Sequence, residues 1–400
     1  VSVTEFSIRG GLVIGGDLVD GALVIENGAI ARIERGSTDL PQPVIEADIV
    51  SPGLLDLQVN GGFGVEVGAN PEAFRRLAAA LPASGVTGFL PTIVSSPANF
   101  YPAVFKAFNA ARDAPGARML GLHVEGPFLS PKRIGAHRRE VIENAQPSLI
   151  EELLASPDLR IFTLAPELPH AAEWIRRFRK RGVVVSLGHT DATADEFARG
   201  VDAGAIMVTH LFNAMSPFNH RAPNVIGSAL VDERVTCGLI VDGIHSDPLS
   251  VRLAIRAKGV AGICLVTDMM SAAGMPSGQH MLFGKNVVVD ETSARLADGT
   301  LAGSIITMDA AIRNTVRWGG VTAAQALSMA SEVPARLLGL PDLGRLAQGA
   351  NADIVLLNDR LEVVATYVRG ELVYHHAQTQ PRNSLSGRSA LARRRQHQSG

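Results

Sequence analysis

Cysteine is nearly absent, with Cys237 and Cys264 the only two in 400 residues. Each lies inside an apolar run, which argues against a disulfide framework or a zinc knuckle and for core thiols in a reducing compartment. No stretch approaches the ~20 consecutive apolar residues that a bilayer span needs, and the N-terminus has no basic-then-apolar signal pattern. A soluble cytoplasmic protein is the expectation. An excess of charge of one sign is lacking too. Lys plus Arg number 37 and Asp plus Glu 39, a net charge of −2, so no long-range field recruits nucleic acid or a membrane surface. Any phosphate must then be recognised locally. What is plentiful is apolar surface: 46% hydrophobic residues against 19% charged can bury a large core, as one α/β domain or as two.

The first fifty residues alternate short Val/Ile/Leu segments with GG, DG and NG, as in "FSIRGGLVIGGDLVDGALVIENGAIARIERG". These dipeptides permit the positive φ of tight hairpins. The same texture returns in "ADIVLLNDRLEVVATYVRGELVYHH". Residues 1–50 and 350–378 are therefore expected to pair into a small β-sandwich built from both chain ends, with 51–349 inserted between them. The polar stretch 379–400 has too little apolar surface to offset ordering entropy and reads as a disordered tail.

The middle has another rhythm, in which a brief apolar run ends on a polar residue and a helix-like stretch follows. The runs are "LLDLQVN", "VTGFLPT", "MLGLHVE", "IFTLAPE", "VVVSLGH", "AIMVTH", "CGLIVD" and "GICLVTD". Between them, segments such as "PEAFRRLAAALPASG" and "PHAAEWIRRFRKRG" carry helical spacing and end on Gly. Eight such units are what a (β/α)8 TIM-type barrel requires, and strands covered on both faces read as near-continuous apolar runs. Chemistry in that fold sits where strands end.

Glu125, His189 and His210 each terminate a different run. One carboxylate with two imidazoles is a ligand set for a catalytic divalent metal with one position left open for water. Zn2+ fits best, with Fe2+ and Co2+ as alternatives, and a metal so held brings the pKa of water towards ~7. Asp268, closing the eighth run, is placed to take that water's proton and pass it to a leaving group. A lone strand-end histidine is more often a hydrogen-bonded structural one, and a lone acid is often a helix cap. Four ionisable groups at four strand ends need a shared partner, since each alone is costly near a core. The first run is different, because it ends on two amides, Gln58 and Asn60, that cannot ionise.

The ordered motifs "SPGLLDLQVNGG", "LHVEGPFLS", "LAPE", "LGHTDAT", "THLFNAM", "DGIH", "LVTD" and "GTLAGS" resemble those of the N-acetylglucosamine-6-phosphate deacetylases of the amidohydrolase superfamily, over about residues 50–350. The resemblance implies hydrolysis of the acetamide of an amino-sugar phosphate to the free amine and acetate, in amino-sugar catabolism and cell-wall recycling. It implies Glu125, His189 and His210 as metal ligands and Asp268 as the acid/base. Many amidohydrolases carry His-x-His where this chain has Gln58-x-Asn60. Amides are poor Zn2+ ligands beside imidazole, so the second-metal position is expected to be vacant and one metal to bind per subunit.

The same resemblance suggests substrate contacts from Ala136 and His137, His137 at the amide carbonyl, and from Asn213 and Ala214. Arg221 would reach the phosphate bound by a neighbouring subunit, making a homodimer a catalytic requirement. His245 would add a phosphate donor, with Asp242, Gly243 and Ile244 shaping its loop, and Leu301, Ala302 and Gly303 would pack on the sugar ring. Three other readings compete. A cyclic amidase, dihydroorotase-like or hydantoinase-like, normally uses His-x-His and a carboxylated lysine at the fourth strand, where this chain has "LAPE". A non-catalytic sugar-phosphate-binding regulator needs no proton shuttle such as Asp268. A metal-free lyase needs a strand-end lysine, whereas Lys258 and Lys285 lie in helix or loop contexts.

Overall fold

The computed structural model describes residues 5–36, 39–282, 285–290 and 292–376. The expected tail, 379–400, lies outside the described residues. Each of the eight apolar runs supplies one strand of a parallel barrel: β1 (Leu54–Val59), β2 (Val86–Val94), β3 (Leu122–Glu125), β4 (Leu159–Leu164), β5 (Val184–Leu187), β6 (Met207–Val208), β7 (Thr236–Leu239) and β8 (Ile263–Leu265). They are hydrogen-bonded in sequence order. The ring closes where Val59 forms a parallel bridge with Met269 and the Asn60 N–H donates to the Met269 carbonyl at 2.8 Å. All six residues of β1 are buried, as expected of strands with side chains packed inside the barrel and helices outside it.

Helices follow the strands for local reasons. Asn70 caps Pro71–Ala80 by accepting the Glu72 N–H, and Pro stands at its first turn, where no N–H donor is needed. Phe74 and Leu77 from this helix are buried, with Phe74 edge-on to Phe108 of the next helix, Tyr101–Ala111. Helix Ala171–Lys180 buries Trp174, Ile175 and Phe178, spaced one, three and four residues apart on one face, and turns its arginines outward. Helix Ala194–Asp202 starts with a capping box between Thr193 and Glu196. No helix among the described residues is long and apolar enough to cross a membrane.

A seven-stranded sheet joins the two ends of the described chain. Phe6–Ile14, Asp17–Glu26, Ala29–Glu34 and Val44–Pro52 come from the front, and Ile354–Leu357, Val363–Val368 and Glu371–His375 from the back. The two groups meet where Val44–Pro52 runs antiparallel to Ile354–Leu357. The strands form one continuous sheet. Not every glycine dipeptide in it is a turn. Gly15-Gly16 and Asn27-Gly28 do turn with positive φ, but Gly10-Gly11 and Asp20-Gly21 face each other inside paired strands. A Cβ at Gly10 would stand 2.2 Å from the Ala47 carbonyl oxygen, so this glycine serves close approach of backbone at a register shift.

A second departure from the sequence reading follows β8. A three-stranded antiparallel sheet, Gly278–Leu282, Lys285–Val289 and Ala294–Leu296, intervenes before helix Met308–Gly319. Its last strand leads into residues 299–303, which form one wall of the main cavity.

Candidate active site

The carboxyl ends of the barrel strands open into a cavity of about 1100 Å3 whose floor holds Glu125, His189, His210 and Asp268. These four come from β3 and from the segments after β5, β6 and β8, and each is at most 9% exposed. The backbone turns abruptly to deliver them. His189, His210 and Asp268 all have positive φ, at 47°, 25° and 51°. Non-glycine residues adopt such conformations at a cost, and where they cluster they mark sites whose geometry is held by function.

Glu125, His189 and His210 offer ligand atoms that converge on one point. His210 Nε2 stands 3.1 Å from both His189 Nε2 and Glu125 Oε1, and His189 Nε2 is 3.3 Å from the same oxygen. A cation bound at about 2.0–2.1 Å with tetrahedral angles spaces its ligands about 3.3–3.4 Å apart, so the three atoms fit a divalent ion. At His189 the proton arrangement of the neutral ring agrees. His189 Nδ1 lies 2.9 Å from the Arg133 carbonyl, to which it can only donate, leaving a lone pair on Nε2.

The electrostatics follow from burial and proximity. Burial pushes the Glu125 carboxyl up, but hydrogen bonds and charge from His189 and His210 outweigh it and hold it well below the usual carboxylate range. Burial pushes His210 down, and Glu125 overrides that to bring it up to about 8. Asp268 is raised, first by burial and then by the charge of Glu125, while His210, His245 and the Asn60 hydrogen bond pull the other way. A carboxyl poised upward in this manner suits proton transfer.

Gln58 and Asn60 find side-chain partners. Gln58 Nε2 donates to Glu125 Oε1 at 3.2 Å, and Asn60 Nδ2 donates to Asp268 Oδ1 at 2.6 Å. His137 lines the cavity beside the cradle, its ring edge-on to His189 with centroids 4.5 Å apart. Its Nδ1 accepts the Ser95 N–H at 3.3 Å, so the proton of the uncharged ring sits on Nε2. Ala136 sits in the same loop, which reaches this close because Gly135 takes φ 56° and a Cβ there would meet His189 Cε1 at 3.1 Å.

Asn213, Ala214, His245, Leu301, Ala302 and Gly303 also line the cavity. Asp242 lies behind His245, fixing its ring through a 2.6 Å contact between Nδ1 and Oδ2 and accepting the N–H groups of Ile244 and His245. Gly243 turns the loop with φ 79°. Arg221 is exposed and does not line the cavity of its own chain.

Two buried groups escaped the sequence reading. Asp56 lies below the amides on β1, accepting the Thr267 hydroxyl at 2.5 Å and the backbone N–H groups of Gln58 and Thr267. Burial raises it to about 7 despite those bonds. Asp56, Gln58 and Asn60 recur at every second residue, so the period of a strand was the signal that could have found it. His123, two residues before Glu125, bridges the Leu57 carbonyl and the Thr163 hydroxyl at 3.0 and 2.8 Å, and burial lowers it to about 4.

Residues 49–373 match the model of the amidohydrolase family. The N-acetylglucosamine-6-phosphate deacetylase of Bos taurus is 39% identical over 391 residues, 94% of this chain and 95% of that protein. The N-acetylgalactosamine-6-phosphate deacetylase of Escherichia coli O157:H7 is 38% identical over 365 residues, 89% and 96% respectively. Among solved structures, a mutant of the Mycobacterium smegmatis N-acetyl-D-glucosamine-6-phosphate deacetylase in complex with N-acetyl-D-glucosamine-6-phosphate superposes with a TM-score of 0.88 at 32% identity, covering 92% of this chain and 99% of that one.

Proposed function

The chain belongs to the amidohydrolase family, among its N-acetylglucosamine-6-phosphate deacetylases, and from that membership we propose that it hydrolyses the acetamide of an N-acetylhexosamine 6-phosphate, releasing acetate and the amino-sugar phosphate. The observation that carries this reading is the Glu125, His189 and His210 cradle beside Asp268 on the floor of one cavity. A divalent cation held there, Zn2+ by preference and Fe2+ or Co2+ as alternatives, supplies Lewis acidity to the carbonyl and lowers the pKa of a coordinated water.

The chain's own groups account for the remaining chemistry. Asp268 takes a proton from the attacking water and returns it to the departing amine, which leaves poorly unless protonated. His137 offers Nε2–H to the carbonyl oxygen as negative charge develops on it. His245, oriented by Asp242, presents its other ring nitrogen to the phosphate. Asn213, Ala214 and the Leu301–Ala302–Gly303 wall contact the sugar. Arg221, exposed and away from its own cavity, completes the phosphate site of a second subunit in a homodimer, where a guanidinium forms paired bonds to phosphate oxygens. Two buried free thiols support a reducing, cytoplasmic setting, and the activity suits amino-sugar catabolism and cell-wall recycling.

The similarity to both glucosamine-type and galactosamine-type deacetylases leaves the C4 epimer to a direct assay. Acetate release is measured from N-acetylglucosamine 6-phosphate, its galactosamine epimer and a cyclic amide, each with and without a chelator. Chelator-sensitive release from at least one phosphorylated sugar, with no ring opening, is the expected result. Cyclic amide hydrolysis without acetate release would overturn the reading.

A further inference from the structure

The mechanism assigns no step to the two amides at the end of β1, Asn60, which lines the cavity, and Gln58, which is fully buried. Gln58 and Asn60 sit two residues apart on the inward face of one strand, and each donates to a different carboxylate: Gln58 to Glu125, a metal ligand, and Asn60 to Asp268, the proton carrier. Neither amide oxygen meets a donor among the described residues, so donation to the carboxylate is what orients each amide. The strand does not need these side chains to hold its place. The Asn60 N–H bonds the Met269 carbonyl, the Val59 N–H bonds Thr92 Oγ1 at 3.1 Å, and the Gln58 N–H bonds Asp56.

We propose that Gln58 and Asn60 are two separate positioning residues carried by one strand, Gln58 fixing Glu125 for the metal and Asn60 fixing Asp268 for proton transfer. An uncharged donor suits the second task. A cation in the place of Asn60 would pin Asp268 in its ionised form by direct charge pairing, whereas an amide N–H orients Oδ1 and still lets the carboxyl accept a proton. Gln58 acts on Glu125 in the same manner, through Oε1, the oxygen that also faces His189 and His210, since a donor to a ligating carboxylate sets its direction and metal affinity. The assignment to Asn60 rests on the deacetylase reading; the assignment to Gln58 rests only on the cradle.

The test measures Zn2+ affinity by competition with a chelating dye, and steady-state kinetics on the phosphorylated N-acetyl sugar, for Gln58→Ala and Asn60→Ala. We expect Gln58→Ala to weaken Zn2+ binding about 10- to 100-fold. Asn60→Ala is expected to leave Zn2+ affinity within twofold and to lower kcat about 10- to 100-fold with little change in KM. Asn60→Ser, which keeps a short donor, should recover part of the lost kcat, and the isosteric Asn60→Asp, which has no donor when ionised, should not. If Asn60→Ala does not fold, the contrast between the Ser and Asp variants carries the same test. Both substitutions changing affinity and turnover alike, or neither changing either, would overturn the proposal. A parent without acetate release would overturn the functional reading and the Asn60 assignment with it, while the affinity arm still decides Gln58.

Discussion

His189 Nε2 and His210 Nε2 stand 3.1 Å apart, each also within 3.3 Å of Glu125 Oε1. Two imidazole nitrogens this close need a proton or a cation between them, and in the neutral His189 ring the one proton sits on Nδ1, facing the Arg133 carbonyl. The His210 proton and a divalent ion therefore compete for one place.

That competition gives metal loading a pH dependence. With His210 raised to about 8, the proton is bound below that pH and must leave when a cation enters. Zn2+ affinity should fall about tenfold for each pH unit below ~8 and level off above it. Competition titrations between pH 6 and 9 check this, and an affinity independent of pH after correction for the chelator would contradict it.

The Asp268→Asn variant tests whether binding and turnover separate at this residue. Asp268→Asn retains a side chain that accepts from Asn60 but cannot carry the proton, so metal content and ligand affinity should stay near the parent's while kcat falls about 10²- to 10⁴-fold. Turnover like that of the parent would remove Asp268 from its role.

Arg221 is testable through mixed dimers. Arg221→Ala should raise KM for the phosphorylated sugar far more than for the unphosphorylated one. Combining Arg221→Ala subunits with Asp268→Asn subunits creates mixed dimers in which one site has both an intact Asp268 and a partner's arginine. Activity should return on mixing if the arginine crosses the interface. Inactive mixed dimers would place it in its own subunit's site.

Asp56 contributes to stability with a sign opposite to that of most carboxylates. Its folded value of about 7 lies above the ordinary aspartate value of 3.8, so the stability it contributes is fully present below about pH 4 and is lost as pH rises through about 7. A displacement of this size corresponds to roughly 4 kcal/mol across the window. Asp56→Asn does not titrate, so its stability relative to the parent should improve between pH 4 and 7. Denaturant unfolding of both proteins across that range measures the difference, and parallel curves would contradict it.

The barrel strands were legible because a parallel strand buried on both faces needs only an apolar run, and five of the eight runs stop on a residue that lines the mouth: Asn60, Glu125, His189, His210 and Asp268. Glu125, His189, His210 and Asp268 were visible for that reason. Their partners were not. Gln58 meets Glu125 across 67 residues of sequence and Asn60 meets Asp268 across 208, pairings that no local pattern encodes. Gly10 and Gly21 looked like turn residues because glycine is read first as a licence for positive φ, whereas here their strands needed room. The sheet at 278–296 was missed because its strands are three to five residues long, too short for a clear alternation.

Three side chains holding one catalytic cation make metal titration of the chelator-stripped protein the decisive measurement. Acetate release should be negligible without metal, rise in proportion to added Zn2+ or Co2+, and saturate at one equivalent per chain, with Glu125→Ala, His189→Ala and His210→Ala failing to respond. Full turnover in protein holding less than about a tenth of an equivalent of any divalent metal, or saturation only at two, would contradict the account.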